Sequence, residues 1–213
     1  LRAVHQHAQP AAFALRADRL DKIFLKEKRE LTDVSVQLRH DAEWWDLIDL
    51  KANVPSGGPV TLHYGPAEGA RHILHVDSAD AGAVLAALGI SQSVRGGSLL
   101  INAEAHDNEP HRPLKGGVLI KDFRMVDAPV LARLLTMATI TGFVDLMSGD
   151  GFQFNKFKMQ FIKTEGRLDI DLAKAHGPSI GITGAGHVDF DKRQMDIAGT
   201  VIPVNAVNSV LSD

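Results

Sequence analysis

The chain has 213 residues, 45% of them apolar, 23% charged and 6% aromatic, with 19 glycines and 9 prolines. That composition suits a folded chain able to bury a core, and it excludes collagen and a disordered segment. Its 23 basic and 26 acidic residues give a formal charge of −3 with no basic block, so the sequence carries no electrostatic footprint for a nucleic-acid partner. The lack of cysteine removes disulfides, thiol catalysis and cysteine-ligated zinc, and it leaves the compartment open. The first residue is Leu1 rather than Met, no signal-peptide pattern is present, and the chain stops at Asp213 inside a helical pattern. It reads as a piece of a longer protein.

Apolar residues alternate with a period of two along most of the chain, the mark of strands with one buried face. Phe13, Leu15 and Ala17 begin this pattern, and after a charged turn at 26–30 Val34, Val36 and Leu38 continue it. Trp44, Ile48, Leu50, Ala52 and Val54 share one parity before Pro55-Ser56-Gly57-Gly58-Pro59 breaks the chain. Val60 to Tyr64 and Ile73 to Val76 read as a hairpin. Ser78 is placed to cap a short helix over Ala79 to Leu88 that stops at Gly89. Asp127 is placed to cap a second helix, with Leu131, Leu134, Leu135 and Ala138 on one face, continuing from Thr141 to Met147. Val204 to Leu211 has helical spacing as well.

Strands recur between and after these helices. Arg95-Gly96-Gly97 and Lys115-Gly116-Gly117 each precede an apolar strand, twenty residues apart. Leu168 to Asp171, Val188 to Asp191 and Met195 to Ile197 alternate apolar residues with polar ones that are largely aspartate, predicting one apolar and one acidic face. Phe152 and Phe154 have the opposite parity to Phe157, Met159 and Phe161, which predicts a bulge or kink near Asn155-Lys156. The sum is a mainly β chain, an antiparallel meander of ten to twelve strands forming a curved, groove-like sheet with two or three short helices. Its parts are strands over 1–76, a short helix with the Gly-Gly strands over 77–126, a helical pair over 127–149, strands over 150–202 and the start of a helix over 203–213. Two short helices cannot cover so much one-sided apolar surface, so it must fold on itself, be covered by another segment or hold a ligand.

Motifs for catalysis are weak. His5, His7, His63, His72 and His75 lack carboxylates at ligand spacing, so solvated strand histidines are the favoured reading and no metal or cofactor is expected. The pairs Asp169/Asp171 and Asp189/Asp191 are explained as the polar phase of strands. Gly181 to Gly186 has the wrong order for a phosphate loop and leads into a strand, and no G-x-S-x-G or Walker sequence occurs. Ala128 to Met147 is apolar, yet Arg133, Asp145 and Gly142 interrupt it, which argues for a covering helix pair rather than a membrane span.

The strings Gly117-Val118-Leu119-Ile120-Lys121-Asp122-Phe123, Asp127 to Leu135, Gly142 to Leu146 and Gly149 to Phe154 resemble the AsmA-like C-terminal region of large Gram-negative envelope proteins, the YhdP-type group. Gly199-Thr200-Val201-Ile202-Pro203 followed by Asn208-Ser209-Val210-Leu211 is similar to that region's closing segment, although Val204-Asn205 departs from it. The resemblance implies a bridge-like lipid-transfer protein, anchored in the inner membrane by an N-terminal helix and extending through the periplasm, with membrane contact made by parts outside this sequence. It brings no catalytic residues. The partners it implies are phospholipid acyl chains and other envelope proteins.

The residue pattern agrees with this. A sheet apolar on one face offers acyl chains a dry floor at roughly 0.8 kcal/mol per buried CH₂ and leaves head groups in water. The expected lining is Phe157, Met159, Phe161, Leu168, Ile170, Leu172, Val188, Phe190, Met195 and Ile197. An ordinary closed core is the alternative for the same residues. A module that binds outer-membrane protein clients by strand addition at its sheet edges is the alternative function.

Overall fold

The computed structural model describes residues 11–25, 29–55, 57–127, 151–178 and 180–203. They form one open antiparallel sheet of eleven strands whose spatial order is their chain order. The strands are β1 (Phe13–Phe24), β2 (Glu30–His40), β3 (Trp45–Val54), β4 (Gly58–Ala67), β5 (Arg71–Ser78), β6 (Val94–His106), β7 (Leu114–Met125), β8 (Phe152–Thr164), β9 (Arg167–His176), β10 (Ile180–Asp189) and β11 (Gln194–Pro203). One helix, α1 (Ala81–Ala87), lies between β5 and β6. The expected meander is therefore present as a single sheet, with β1 and β11 as its two edges.

Register explains why alternation survives across the whole sheet. One ladder row runs Ala17, Val36, Leu50, Leu62, Val76, Ile101, Val118, Met159, Ala173, Gly184 and Gly199 from β1 to β11. The next row on that face runs Leu15, Leu38, Ile48, Tyr64, Leu74, Ala103, Gly116, Phe161, Ile170, Gly186 and Ile197. Neither row holds a charged side chain. The row between them, which the pleat turns to the opposite face, runs Arg16, Gln37, Asp49, His63, His75, Asn102, Gly117, Gln160 and Leu172. We call the apolar side the inner face and the other the outer face.

The core lies at the end of the inner face where α1 packs. Asp80, rather than Ser78, caps this helix, its carboxylate accepting from the Ala83 N–H at 2.9 Å. Ser78 instead closes β5, where its hydroxyl donates to the Pro59 carbonyl at 2.9 Å and accepts from the Asp80 N–H at 3.3 Å. Gly89, at φ 70°, ends the helix as expected. Ala81 and Val84 on α1 join Val54, Val76, Leu99 and Phe123 in one buried cluster.

A fold line crosses β6 and β7 beside this core. Gly97 at φ 82° and Asp122 at φ 54° fall between the ladder pairs Gly96↔Phe123 and Ser98↔Lys121. The kink lets Ile120 and Phe123, three residues apart, enter the same core, and on β8 it does the same for Phe154 and Phe157. The parity switch predicted near Asn155-Lys156 is thus real, and the left-handed residues that make it sit on β6 and β7. A Cβ at Gly97 would lie 2.7 Å from both the Lys121 carbonyl oxygen and the Phe123 Cβ, so only glycine fits. Phe123 and Phe154 stack beyond the kink with ring centroids 5.1 Å apart and planes at 12°. The two Gly-Gly repeats are not equivalent, because β6 and β7 are antiparallel and carry them to opposite ends.

Candidate functional site

The expected lining residues gather on the inner face of β8 to β11, with one exception. Phe161 stands opposite Ile170, and Gly186 separates Ile170 from Ile197 in the same row. Leu168, Val188 and Met195 form a neighbouring row, while Phe157 pairs with Ala175 and Met159 with Ala173. Two small residues on β9, Ala173 and Ala175, therefore stand against large ones on β8. Exposure rises toward the edge: Phe161 and Ile170 are 8% and 9% exposed, whereas Ile197 is 45% and Met195 71%. The gradient follows from β11 having, among the described residues, a neighbouring strand on one side only. Phe190 lies in the β10–β11 turn at the rim, half exposed, with the Lys163 ammonium 5.6 Å from its ring centroid.

Leu172 is the exception, and it corrects the sequence reading. The β8–β9 ladder passes from Gln160↔Leu172 to Phe161↔Ile170, so Asp171 is an extra residue in β9. This bulge reverses the parity beyond it and places Leu172 in the polar row of the outer face. The outer face is also not uniformly acidic. Asp169 and Asp196 flank His187 on it, but Lys156, Lys158 and Lys174 occupy its β8–β9 part.

A polar and aromatic cluster closes the other end of the inner face, opposite α1. His40 is buried between Phe13, stacked at 5.7 Å, and Trp45, edge-on at 5.1 Å. His72 is 5% exposed, stacks on Tyr64 at 5.3 Å, and brings its two ring nitrogens to Asp107 at 2.8 Å and Asp46 at 3.4 Å. A neutral ring donates to one of these carboxylates and an imidazolium to both. Arg39 donates to Asp46, and Arg112 sits 3.7 Å from Asp107 and over the Trp44 ring. Burial opposes the charge on Asp46, yet the hydrogen bonds from Arg39 and His72 outweigh it and hold the carboxyl below its ordinary value. Burial pushes the Tyr64 phenol up. The expectation of a solvated strand histidine fails for His72, and His40 is buried as well. Sequence offered no signal for His72, since Asp46 and Asp107 lie 26 and 35 positions away.

Other expected chemistry falls to structural roles. Asp169 and Asp189 hold Arg167 and Lys192, and these hydrogen bonds lower both carboxyls. Asp41 is lowered by the backbone N–H groups of Trp44 and Glu43 in the β2–β3 turn, and Glu109 by Lys115. His63 and His75 face each other across β4 and β5 on the outer face, whereas His72 belongs to the inner one. Among the described residues, no group of three His, Asp or Glu side chains is placed to hold a metal ion. The helix face Leu131, Leu134, Leu135 and Ala138, the segment 204–211 and the residues His5 and His7 lie outside the described residues. No protein-family model, no curated protein and no solved structure matches the chain.

Proposed function

We propose that this chain is a non-enzymatic segment of a Gram-negative envelope protein whose inner sheet face carries phospholipid acyl chains between the inner and outer membranes. The observation that supports it is the pair of uncharged ladder rows crossing all eleven strands, open to solvent toward β11. Such a face is costly to leave in water, and an acyl chain lying on it gains roughly 0.8 kcal/mol for each CH₂ removed from water. In this reading the sheet curves into a groove, the α1 end is filled by side chains, and the tails occupy the β8–β11 floor. The two crossing rows contain no fixed charge to select a head group, and Lys163, opposite Leu168 in the neighbouring row, stands at the rim beside Phe190, so the head stays in water and selectivity among phospholipids is low. In this reading, which the resemblance to the AsmA-like region supports, the groove stands in the periplasm within an inner-membrane-anchored protein.

The test is extraction of lipid from the purified chain, followed by mass spectrometry. Phospholipid of mixed head group in near-stoichiometric amount is expected. A fully folded chain that carries none, and that takes up none from vesicles, contradicts the proposal. Strand addition to protein clients is the second reading, favoured by the exposed side chains along β11 and the open edges of the sheet. Crosslinks from β1 or β11 to outer-membrane proteins, with no bound lipid, would select it.

A further inference from the structure

The outer face of β7, β8 and β9 brings four lysines together in two facing pairs. Lys121 stands directly opposite Lys156, and Lys158 directly opposite Lys174. His176 extends the first row next to Lys156. All four lysines are exposed, and none forms an ion pair with a carboxylate among the described residues. In the Lys158 row the first acid is Asp77, three strands away across Leu100 and Leu119, at about 14 Å from the strand spacing. Like charges directly opposite in a ladder destabilise a sheet. In a chain of net charge −3 this is a local excess of the minority sign, created by pairing residues that the sequence keeps apart.

We propose that this outer surface docks the protein on an anionic phospholipid bilayer, through Lys121, Lys156, Lys158 and Lys174. Negative phosphates in a plane relieve the repulsion of both pairs at once. The residue type selects the occupant. Lysine is a point charge on a flexible stem, suited to a diffuse anionic surface, whereas protein interfaces favour arginine and are depleted of lysine. Leu119, opposite Lys158, and the exposed Leu172 add aliphatic surface of the kind that settles among head groups. No Phe, Tyr or Trp stands in these rows to stack a nucleic-acid base. Beside the lysines, the missing side chain of Gly117 leaves an open depression of about 560 Å³ whose lining includes Ile73, His75, Asn102, Glu104, Lys115 and Gln160. This surface lies on the opposite side of the sheet from the proposed acyl-chain floor and stands independently of it.

The test is co-sedimentation of the chain with phosphatidylcholine vesicles containing or lacking about 30 mol% phosphatidylglycerol. Binding is expected only to the anionic vesicles, and it falls steeply as salt is raised from about 0.05 M to about 0.5 M. The double substitution Lys158→Gln with Lys174→Gln weakens binding about thirty-fold and keeps at least the parent's thermal midpoint. Lys51→Gln, on the outer face of β3, leaves binding unchanged. Ile197→Asp also leaves it unchanged, which separates this surface from the lipid-carrying face. Equal binding to neutral vesicles, an unaffected double variant, or tighter salt-dependent binding to polyglutamate or DNA than to the vesicles would overturn the proposal.

Discussion

Ile197 and Leu172 are a matched pair of probes for the lipid-carrying face. Both are aliphatic and half exposed, at 45% and 40%, and both lie in the β9–β11 part of the sheet. The bulge at Asp171 puts them on opposite faces, Ile197 in an uncharged row with Ile170 and Phe161, Leu172 in the polar row with Gln160. Ile197→Asp places a carboxylate on the proposed floor and denies dry contact to about three methylenes of a bound tail. At roughly 0.8 kcal/mol each this is about 2.4 kcal/mol, or a loss of lipid retention of about fifty-fold. Neither site is buried, so each substitution changes folding stability by about 1 kcal/mol or less. The assay is phospholipid per protein after purification, with a urea midpoint for each variant. Lipid is lost from Ile197→Asp and kept by Leu172→Asp. Equal loss from both, or from neither, refutes the assignment of faces to function.

Three further outcomes concern the fold that holds this face in place. Phe154→Ala removes a fully buried ring stacked on Phe123, and chemical denaturation shows a loss of about 4 kcal/mol. Gly97→Ala forces a Cβ against the Lys121 carbonyl at a positive φ, and the same assay shows a loss of about 2 kcal/mol or more. Asp41, Asp46, Glu109, Asp169 and Asp189 all have folded values below their ordinary ones. The unfolded chain therefore binds protons more readily. The stability these carboxylates contribute is fully present above about pH 5, and it is lost progressively as pH falls through their ordinary and then their lower folded values. Urea midpoints measured from about pH 6 to about pH 3 decline over that acid range, and the decline is shallower when Asp46 and Asp169 are replaced by Asn.

Local pattern determined the strands, because a pleated backbone turns successive side chains to opposite faces whatever the partner. Leu15, Ala17, Val36, Leu38, Ile170 and Ile197 could thus be assigned to one side before any pairing was known. The short helix and its stop at Gly89 were legible for the same local reason. Tertiary structure decided what depends on pairing. It shifted Leu172 across the sheet through a one-residue bulge, and it drew His72 between Asp46 and Asp107 from three separate strand ends. It also set Lys121 against Lys156 and Lys158 against Lys174, which no spacing in the sequence announces. Alternation is a property of one strand, whereas parity after a bulge, a buried ionic cluster and a charged patch belong to registers between strands.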